Sequence, residues 1–310
     1  MTALLFGVLA LALAGPLPAA LARAEWPLYV PRAAMTLWQA IALTAVLSAF
    51  STGLVIAINL LAIGSGGPLT ATPAAQISRL GWFTWSLCAL VFAATVLIGS
   101  RLLVTVTATG FRTRTRRRHH RELIDLLDRA ELRRAAGSDI RVLDVPTPMA
   151  YCLPGLRSRV VLSEGVLDRL SLDQLAAVIE HERAHLRARH DLVLEAFLAL
   201  HAAFPRWVRS ESALAAVRLL AEALADDQAV RVTGRTSVGR ALFACADAIA
   251  PSGAMAVGGP TTVARIRRLT DPPAPETLRS LSATAYAIAA ALLVIPTVAV
   301  ALPWLTELSR

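Results

Sequence analysis

Four long apolar stretches divide the chain, at about 1–22, 36–63, 81–107 and 281–303. A helix needs about 20 predominantly apolar residues to cross a bilayer, and each stretch reaches that length. Residues 20–22 resemble a signal-peptide cleavage site, but no basic residue precedes Arg23, so the positive region of a signal peptide is missing. We therefore expect an uncleaved first span and predict a four-span transmembrane helical protein.

The segment between the third and fourth stretches, residues 112–280, is the one long enough to fold as a domain in water. Its apolar pattern predicts an amphipathic helix over 121–136, strands over 140–145 and 159–163, a short helix over 165–170, and helices over about 171–189, 191–204 and 211–232. Ser171 and Gln174 fit a capping box at the start of the 171–189 helix. Residues 251–260, rich in Gly, Ala and Pro, predict a loop.

The predicted fold class is therefore mainly α, with a cytoplasmic α+β domain between the third and fourth spans. Residues 1–111 hold the first three spans, residues 112–280 form the domain, and residues 281–310 hold the fourth span and a short outer tail.

The placement of arginines sets the predicted orientation. The first loop holds Arg23 and Arg32, the loop at 64–80 holds only Arg79, and the densest positive run is 112–121. Because positively charged loops stay on the cytoplasmic side, we expect both termini outside and the 112–280 domain in the cytoplasm. This is the topology of a multi-pass protein of the cell inner (plasma) membrane.

The composition supports lipid contact and removes several kinds of chemistry. Hydrophobic residues make up 55% of the chain and charged residues 17%, which is less charge than soluble domains carry. None of the 31 basic residues is a lysine, which excludes Schiff-base enzymes, P-loop NTPases and the lysine motifs of penicillin-binding domains. The three cysteines include no CxxC pair, so a cysteine zinc site is not expected. The arginine cluster at 112–121 fits anionic membrane lipid better than nucleic acid, which stays open as the weaker alternative.

The predicted capped helix carries His181-Glu182-Arg183-Ala184-His185, an HExxH motif. Two histidines at i and i+4 lie on one helical face, so both rings can reach one metal ion. Glu182 projects beside them and can take a proton from a water that the metal activates. The motif predicts metal-assisted hydrolysis, with Glu182 as the catalytic base and one zinc ion per chain.

A zinc site that keeps one position open for chemistry needs a third protein ligand. The helix at 211–232 offers Glu222 and Asp226, which are also spaced i, i+4 and share a face. Glu222 can supply a carboxylate oxygen, and Asp226 can accept a hydrogen bond from a ligand imidazole and fix its tautomer. The alternative interpretation is a solvated acidic patch that includes Asp227.

Two residues after the motif have less definite roles. His190 lies about 140° from His185 around a continued helix, so we expect it to pack or to cap a helix. Asp191 is expected to cap the next helix or to brace the metal site from behind its ligands. The residue that stabilises a tetrahedral oxyanion is not identified by any pattern, and Tyr151, Arg231 and Arg235 are candidates.

Several of these motifs follow one another in the order of a family of membrane peptidases. They are Pro154-Gly155, the strand Arg159–Ser163, the HExxH motif, Arg189-His190-Asp191, and Glu222-Ala-Leu-Ala-Asp226 or ExxAD. The chain resembles the membrane gluzincins, most closely the BlaR/MecR-type antirepressor peptidases. The HtpX and CAAX prenyl protease group shares the HExxH and ExxAD parts. The Arg-Ile-Arg-Arg-Leu sequence at 265–269 also resembles the segment before the last span of the BlaR/MecR type.

This resemblance implies zinc held by His181, His185 and Glu222, with Glu182 as base. It also implies an edge strand that pairs with the substrate backbone, formed by Arg159, Val160, Val161, Leu162 and Ser163. The implied activity is that of a zinc endopeptidase that cleaves a cytoplasmic protein, such as a transcriptional repressor, in signal transduction. Membrane lipid is an expected partner, and a sensor partner or a homo-oligomer stays open.

The chain departs from the BlaR/MecR sensors in one respect. We expect no penicillin-binding sensor domain after the last apolar stretch, and the chain, which lacks lysine, contains no SxxK motif. Direct β-lactam sensing is therefore not expected. Two alternative functions stay open: an HtpX-like protease of membrane-protein quality control, and a non-catalytic membrane signalling scaffold, against which the intact Glu182 argues.

Overall fold

The computed structural model describes residues 2–61, 73–127, 139–155, 158–204, 211–245 and 260–308. Helices dominate these ranges, which confirms the predicted mainly α class. The helices are α1 (Thr2–Ala14), α2 (Pro16–Arg23), α3 (Pro31–Leu61), α4 (Pro73–Leu80), α5 (Trp82–Leu127), α6 (Glu164–Arg169), α7 (Leu172–Ala188), α8 (His190–Ala203), α9 (Glu211–Thr233), α10 (Arg235–Ala244), α11 (Pro260–Thr270) and α12 (Pro275–Leu308). The strands are β1 (Ile140–Leu143), β2 (Ala150–Leu153) and β3 (Arg159–Ser163).

Helices long and apolar enough to cross a membrane occur in four ranges of the described chain, Leu4–Arg23, Pro31–Ile56, Trp82–Ile124 and Pro275–Val298. These ranges overlap the four predicted spans. The first is not one continuous helix, because Gly15 separates α1 from α2, which begins at Pro16. Large apolar side chains along α5, such as Phe83, Leu90 and Leu103, are exposed, which suits a surface that faces lipid.

Helix α5 runs unbroken for 46 residues, or about 70 Å at 1.5 Å per residue. Residues 121–127 of the helix predicted over 121–136 are helical, but they continue α5 and do not begin a new helix. The arginine-rich stretch at 112–121 contains neither Gly nor Pro, and arginine is a good helix former. Residues 128–136 of the predicted helix, and residues 251–259 of the loop predicted at 251–260, lie outside the described residues.

The three strands form one sheet in the order β1-β3-β2. Strand β3 pairs with both neighbours: it runs parallel to β1 and antiparallel to β2. The prediction that Arg159–Ser163 is an edge strand is thus wrong, because its backbone is hydrogen-bonded on both sides. Strand β2, which the sequence analysis did not predict, is the edge that packs beside α7.

Apolar side chains cover both faces of this sheet. Val160, Leu162 and Val166 belong to a buried cluster that includes side chains of α7. On the opposite face, Tyr151 and Val161 pack with Ile124 of α5. The end of the long helix α5 therefore supports the sheet from behind, and α7 lies in front of it.

The helices that follow α7 pack directly on the candidate membrane helices. A buried cluster joins Met35 and Trp38 of α3 to Phe197 of α8 and to Leu214 and Val217 of α9. A separate cluster joins α1 and α3 to α12. The part of the chain that carries the predicted site is thus packed against the apolar helices rather than tethered to them by a linker.

Candidate metal centre

The capping box predicted from the sequence fixes the start of α7. Ser171 Oγ accepts a hydrogen bond from the backbone N–H of Gln174 at 3.4 Å, and Gln174 Oε1 accepts one from the Ser171 N–H at 2.9 Å. Two and a half turns later, α7 places His181, Glu182 and His185 on its buried side, each no more than 6% exposed. The motif therefore faces the interior of the domain.

Helix α9 packs against α7 and brings its two acidic residues to the same place. Glu222 Oε2 lies 3.3 Å from His181 Nε2, and Glu222 Oε1 lies 3.4 Å from His185 Nε2. The two Nε2 atoms are themselves 3.2 Å apart. The structure thus brings together the three residues predicted as ligands, with potential ligand atoms all within 4.8 Å of one another.

The donor set fits a zinc ion. Both oxygens of Glu222 are buried, and none of their contacts with described residues has hydrogen-bond geometry. A buried carboxylate without full hydrogen bonding is costly. Two imidazole nitrogens and one carboxylate oxygen are the three protein ligands of many catalytic zinc sites, and this set leaves a fourth position open. A divalent cation would satisfy the carboxylate and both nitrogens at once.

The second nitrogen of each ligand ring has its own partner. His181 Nδ1 lies 3.0 Å from Asp226 Oδ1, and His185 Nδ1 lies 2.9 Å from His190 Nδ1. Such partners fix the tautomer of a metal-binding imidazole and leave Nε2 free for the ion. Asp226 occupies the position expected from its spacing in the sequence. His190 was expected only to pack or to cap, and its contact with a ligand ring was missed.

The charges around the ligands favour a cation between them. Burial lowers the pKa of His181, but the neighbouring carboxylates of Asp226 and Glu222 outweigh this effect and raise the pKa to about 10. For Glu222, burial acts to raise the pKa, but His181 and His185 lower it to about 2. Burial lowers the pKa of His185 to about 3, which keeps this ring neutral, whereas a metal ion would have to displace a proton from His181.

Glu182 lies next to the ligands and beside the edge strand β2. Burial raises the pKa of its carboxyl, against the lowering effect of nearby His181. Burial and then the negative charge of Glu182 raise the pKa of the Cys152 thiol, which places Cys152 of β2 beside the predicted base. Tyr151, a candidate oxyanion stabiliser, points to the other face of β2, where its hydroxyl lies 3.0 Å from His120 Nε2.

Asp191 lies in the first turn of α8 and contacts the long helix α5. Its carboxylate accepts a hydrogen bond from Arg117 Nη1 at 2.9 Å. Arg117 Nη2 also lies 2.6 Å from Glu195 Oε1. Because Arg117 belongs to α5 and both acids belong to α8, this pair of contacts braces α8 against the long helix and does not touch the three ligands.

A buried arginine at the centre was not predicted as a site residue. Arg265 of α11 is 1% exposed, and its Nε and Nη2 donate to the two oxygens of Asp226 at 2.8 and 2.6 Å. Its Nη1 lies 3.0 Å from Glu222 Oε2, an ion pair without hydrogen-bond geometry. The sequence pointed to this region only through the resemblance of residues 265–269 to a segment of the BlaR/MecR type. That resemblance did not assign a chemical role to Arg265.

The part of the chain that carries these residues matches a known protein family. The model of a family described as peptidase family M48 matches residues 113–272, just over half of the chain. The match begins within α5, includes α7, α9 and α11, and ends before α12. A search of curated proteins and a search of solved structures found no match.

Proposed function

The chain belongs to peptidase family M48, and on that premise we propose that it is a membrane-embedded zinc endopeptidase that cleaves protein substrates on the cytoplasmic side. Family M48 consists of metallopeptidases, typically zinc enzymes. The observation that carries the proposal is the convergence of His181, His185 and Glu222 beside Glu182. When bound there, zinc supplies a Lewis acid that polarises the scissile carbonyl and lowers the pKa of water.

Each residue of the site has a distinct task in this mechanism. His181, His185 and Glu222 hold the ion, and Asp226 and His190 keep the two rings turned toward it. The Glu182 carboxylate takes a proton from the attacking water and then delivers it to the leaving amine nitrogen. The burial of the site excludes bulk water from these groups, which strengthens their electrostatic interactions.

The sheet offers a place for the substrate backbone. Among the described residues, β2 pairs only with β3, so its other edge has unpaired backbone groups that an extended peptide can bind. The side chains of Ala150 and Cys152 lie on the face of β2 toward α7. We therefore assign substrate pairing to β2 in place of the Arg159–Ser163 strand.

A pocket beside the ligands sets the type of side chain that the site accepts. It reaches His181 and Glu182 and is lined with apolar side chains, among them Val178, Val238 and Leu242. Burial of an apolar side chain in such a pocket stabilises the complex by roughly 25 cal/mol per Å². The preferred substrate thus has an apolar residue next to the bond that is cleaved.

The cytoplasmic placement rests on the arginines. The continuation of α5 beyond its apolar part carries exposed arginines, including Arg112, Arg114 and Arg118, on the side to which positively charged segments are retained. With this orientation the site lies at the cytoplasmic face of the inner membrane, and both termini lie outside. Cysteines introduced at Gly67 and at Arg118 test it, because a membrane-impermeant thiol reagent should label only the first in intact cells.

The biological role proposed first is signal transduction by cleavage of one cytoplasmic protein, such as a transcriptional repressor. It is supported by the motif order shared with the BlaR/MecR type. The second candidate is membrane-protein quality control. It is favoured by the packing of α8 and α9 directly on Met35 and Trp38 of the second apolar helix, which places the site close to polypeptides that leave the bilayer.

The activity is tested with the full chain purified in detergent, supplied with zinc and an unfolded protein such as β-casein. Wild type should cleave it, and Glu182→Gln should retain zinc while its rate falls about 10²–10⁴-fold. Equal cleavage by Glu182→Gln would overturn the mechanism.

In cells, proteins that accumulate with the Glu182→Gln variant distinguish the two roles: one cytoplasmic regulator supports signalling, and many membrane proteins support quality control.

A further inference from the structure

Arg265 is the most deeply buried charged side chain of α11, and it reaches the metal centre from a third helix. Its contacts are to Asp226 and Glu222, both on α9. The site residues on α9 are thus joined through one guanidinium to α11, and His181 of α7 is linked to it through Asp226.

The contact with Asp226 fixes the plane of that carboxylate. Two parallel N–H···O bonds between a guanidinium and a carboxylate allow neither group to rotate freely. The same Asp226 Oδ1 lies 3.0 Å from His181 Nδ1. Arg265 therefore orients Asp226, and Asp226 in turn orients the first ligand ring.

The contact with Glu222 acts on a ligand directly. Arg265 Nη1 lies 3.0 Å from Oε2, whereas Oε1 faces His185 Nε2 at 3.4 Å. An attraction on one side of the carboxylate limits its rotation and helps leave the other oxygen for the metal. Two of the three ligand positions thus depend on the same arginine.

The charge balance of the site also supports a role for Arg265 at the metal centre. Glu182, Glu222 and Asp226 are three buried carboxylates, whereas zinc carries only two positive charges and neutral imidazoles carry none. The guanidinium supplies the third positive charge. Buried charges without compensation are strongly unfavourable, so Arg265 lowers the cost of a site with three acids.

We propose that Arg265 is a positioning residue of the metal centre, which holds Asp226 and Glu222 in the arrangement that binds zinc. This inference rests on the proposed function, because it concerns the same zinc site. Arg265 acts through its contacts with Asp226 and Glu222.

Arg268 provides a matched control on the same helix. It is 7% exposed, and its Nη2 donates to Asp227 Oδ1 at 2.7 Å and to the Ala223 carbonyl at 3.0 Å. Arg268 thus fastens α11 to α9 as Arg265 does, but its described contacts include none of the three ligands or Asp226. A loss of α11 packing should affect substitutions at Arg265 and at Arg268 alike. A loss of ligand positioning should affect only a substitution at Arg265.

The test compares zinc affinity of wild type, Arg265→Met, Arg265→Lys and Arg268→Met, by chelator competition on the full chain in detergent, with thermal unfolding measured in parallel. We expect Arg265→Met to bind zinc about 10–100-fold more weakly and Arg265→Lys, which keeps the charge without the planar fork, to recover part of the loss. Arg268→Met should keep a zinc affinity within about threefold of wild type, although its melting temperature should fall about as much as that of Arg265→Met. The visible spectrum of bound Co²⁺ should change with Arg265→Met only.

Wild-type zinc affinity and an unchanged Co²⁺ spectrum in Arg265→Met would overturn this inference and leave the proposed function standing. Equal loss of zinc in Arg268→Met would also overturn it, since both arginines would then act only on the fold. If Arg265→Met does not fold, Arg265→Lys decides the question, because affinity equal to wild type would contradict a role of the fork. A wild-type chain that binds no zinc would overturn the proposed function and this inference together.

Discussion

His190 Nδ1 lies 2.9 Å from His185 Nδ1, although the two residues belong to different helices. Arg189, between α7 and α8, adopts the left-handed conformation with φ 51° and ψ 41°. This turns the chain sharply and brings the His190 ring back over the end of α7. One of the two nitrogens carries the hydrogen, and a His185 ring that binds metal through Nε2 donates from Nδ1.

Replacement of His190 should weaken the metal site without removing a ligand. We expect His190→Ala to bind zinc about 10–100-fold more weakly, because partners of ligand imidazoles contribute at this level. His190→Asn, whose side-chain oxygen can still accept a hydrogen bond, should lose less. His119→Ala, at an exposed position of α5, is the control, and zinc affinity by chelator competition is the measurement. Wild-type affinity in His190→Ala would show that the contact has no role in metal binding.

Gly165 is required by a close approach of two backbone segments. A Cβ atom at this position would lie 2.0 Å from the Pro146 carbonyl oxygen, and backbone atoms cannot yield as a flexible side chain can. Gly165→Ala should therefore lower the melting temperature by several degrees, as a destabilisation of about 1–3 kcal/mol would in a domain of this size.

Gly239 is the matched control for this substitution. It lies inside α10, and a Cβ atom there would meet nothing within 4 Å. Because alanine favours helix over glycine by about 1 kcal/mol, Gly239→Ala should leave the melting temperature unchanged or raise it. Thermal unfolding of the two variants in the same detergent checks the pair, and a Gly165→Ala variant as stable as Gly239→Ala would refute the close approach.

The apolar pocket should determine where substrates are cut. Ala241 of α10 lines the pocket and is 4% exposed, so Ala241→Phe should fill it. We expect about tenfold lower kcat/KM for peptides with a leucine-sized residue in the pocket, which is the range for changes of apolar fit. Phe243→Ala, on the same helix but 78% exposed, serves as the control. Cleavage sites in β-casein, compared by mass spectrometry, should shift toward small residues in Ala241→Phe alone.

The parts of the site predicted correctly from the sequence rest on local spacing. His181 and His185, and likewise Glu222 and Asp226, are four residues apart on single helices, and helical geometry alone puts each pair on one face. The capping box at Ser171 is equally local. What spacing could not give is which helices meet, since that depends on contacts between distant segments.

The predictions that were missed or wrong also depended on contacts between segments or on where an element ends. Strand β2 has only four residues and lies between Pro148 and Pro154, so its short apolar pattern was not recognised as a strand. Without β2 in the predicted sheet, β3 could not be recognised as the central strand. The angle calculated for His190 assumed that α7 continues, whereas Arg189 ends it. Arg265 is 39 residues from Asp226, and no periodicity connects such a pair.

The most direct test of the account is the zinc content of the detergent-purified chain, with wild type beside Glu222→Gln and Asp227→Asn. Glu222→Gln removes the carboxylate charge at the third ligand, whereas Asp227→Asn changes the partly exposed neighbouring acid on the same helix. The account predicts about one zinc per wild-type chain and per Asp227→Asn chain, and little or none in Glu222→Gln. A folded wild type that takes up no zinc, or a Glu222→Gln variant that retains it fully, would contradict the three-ligand site.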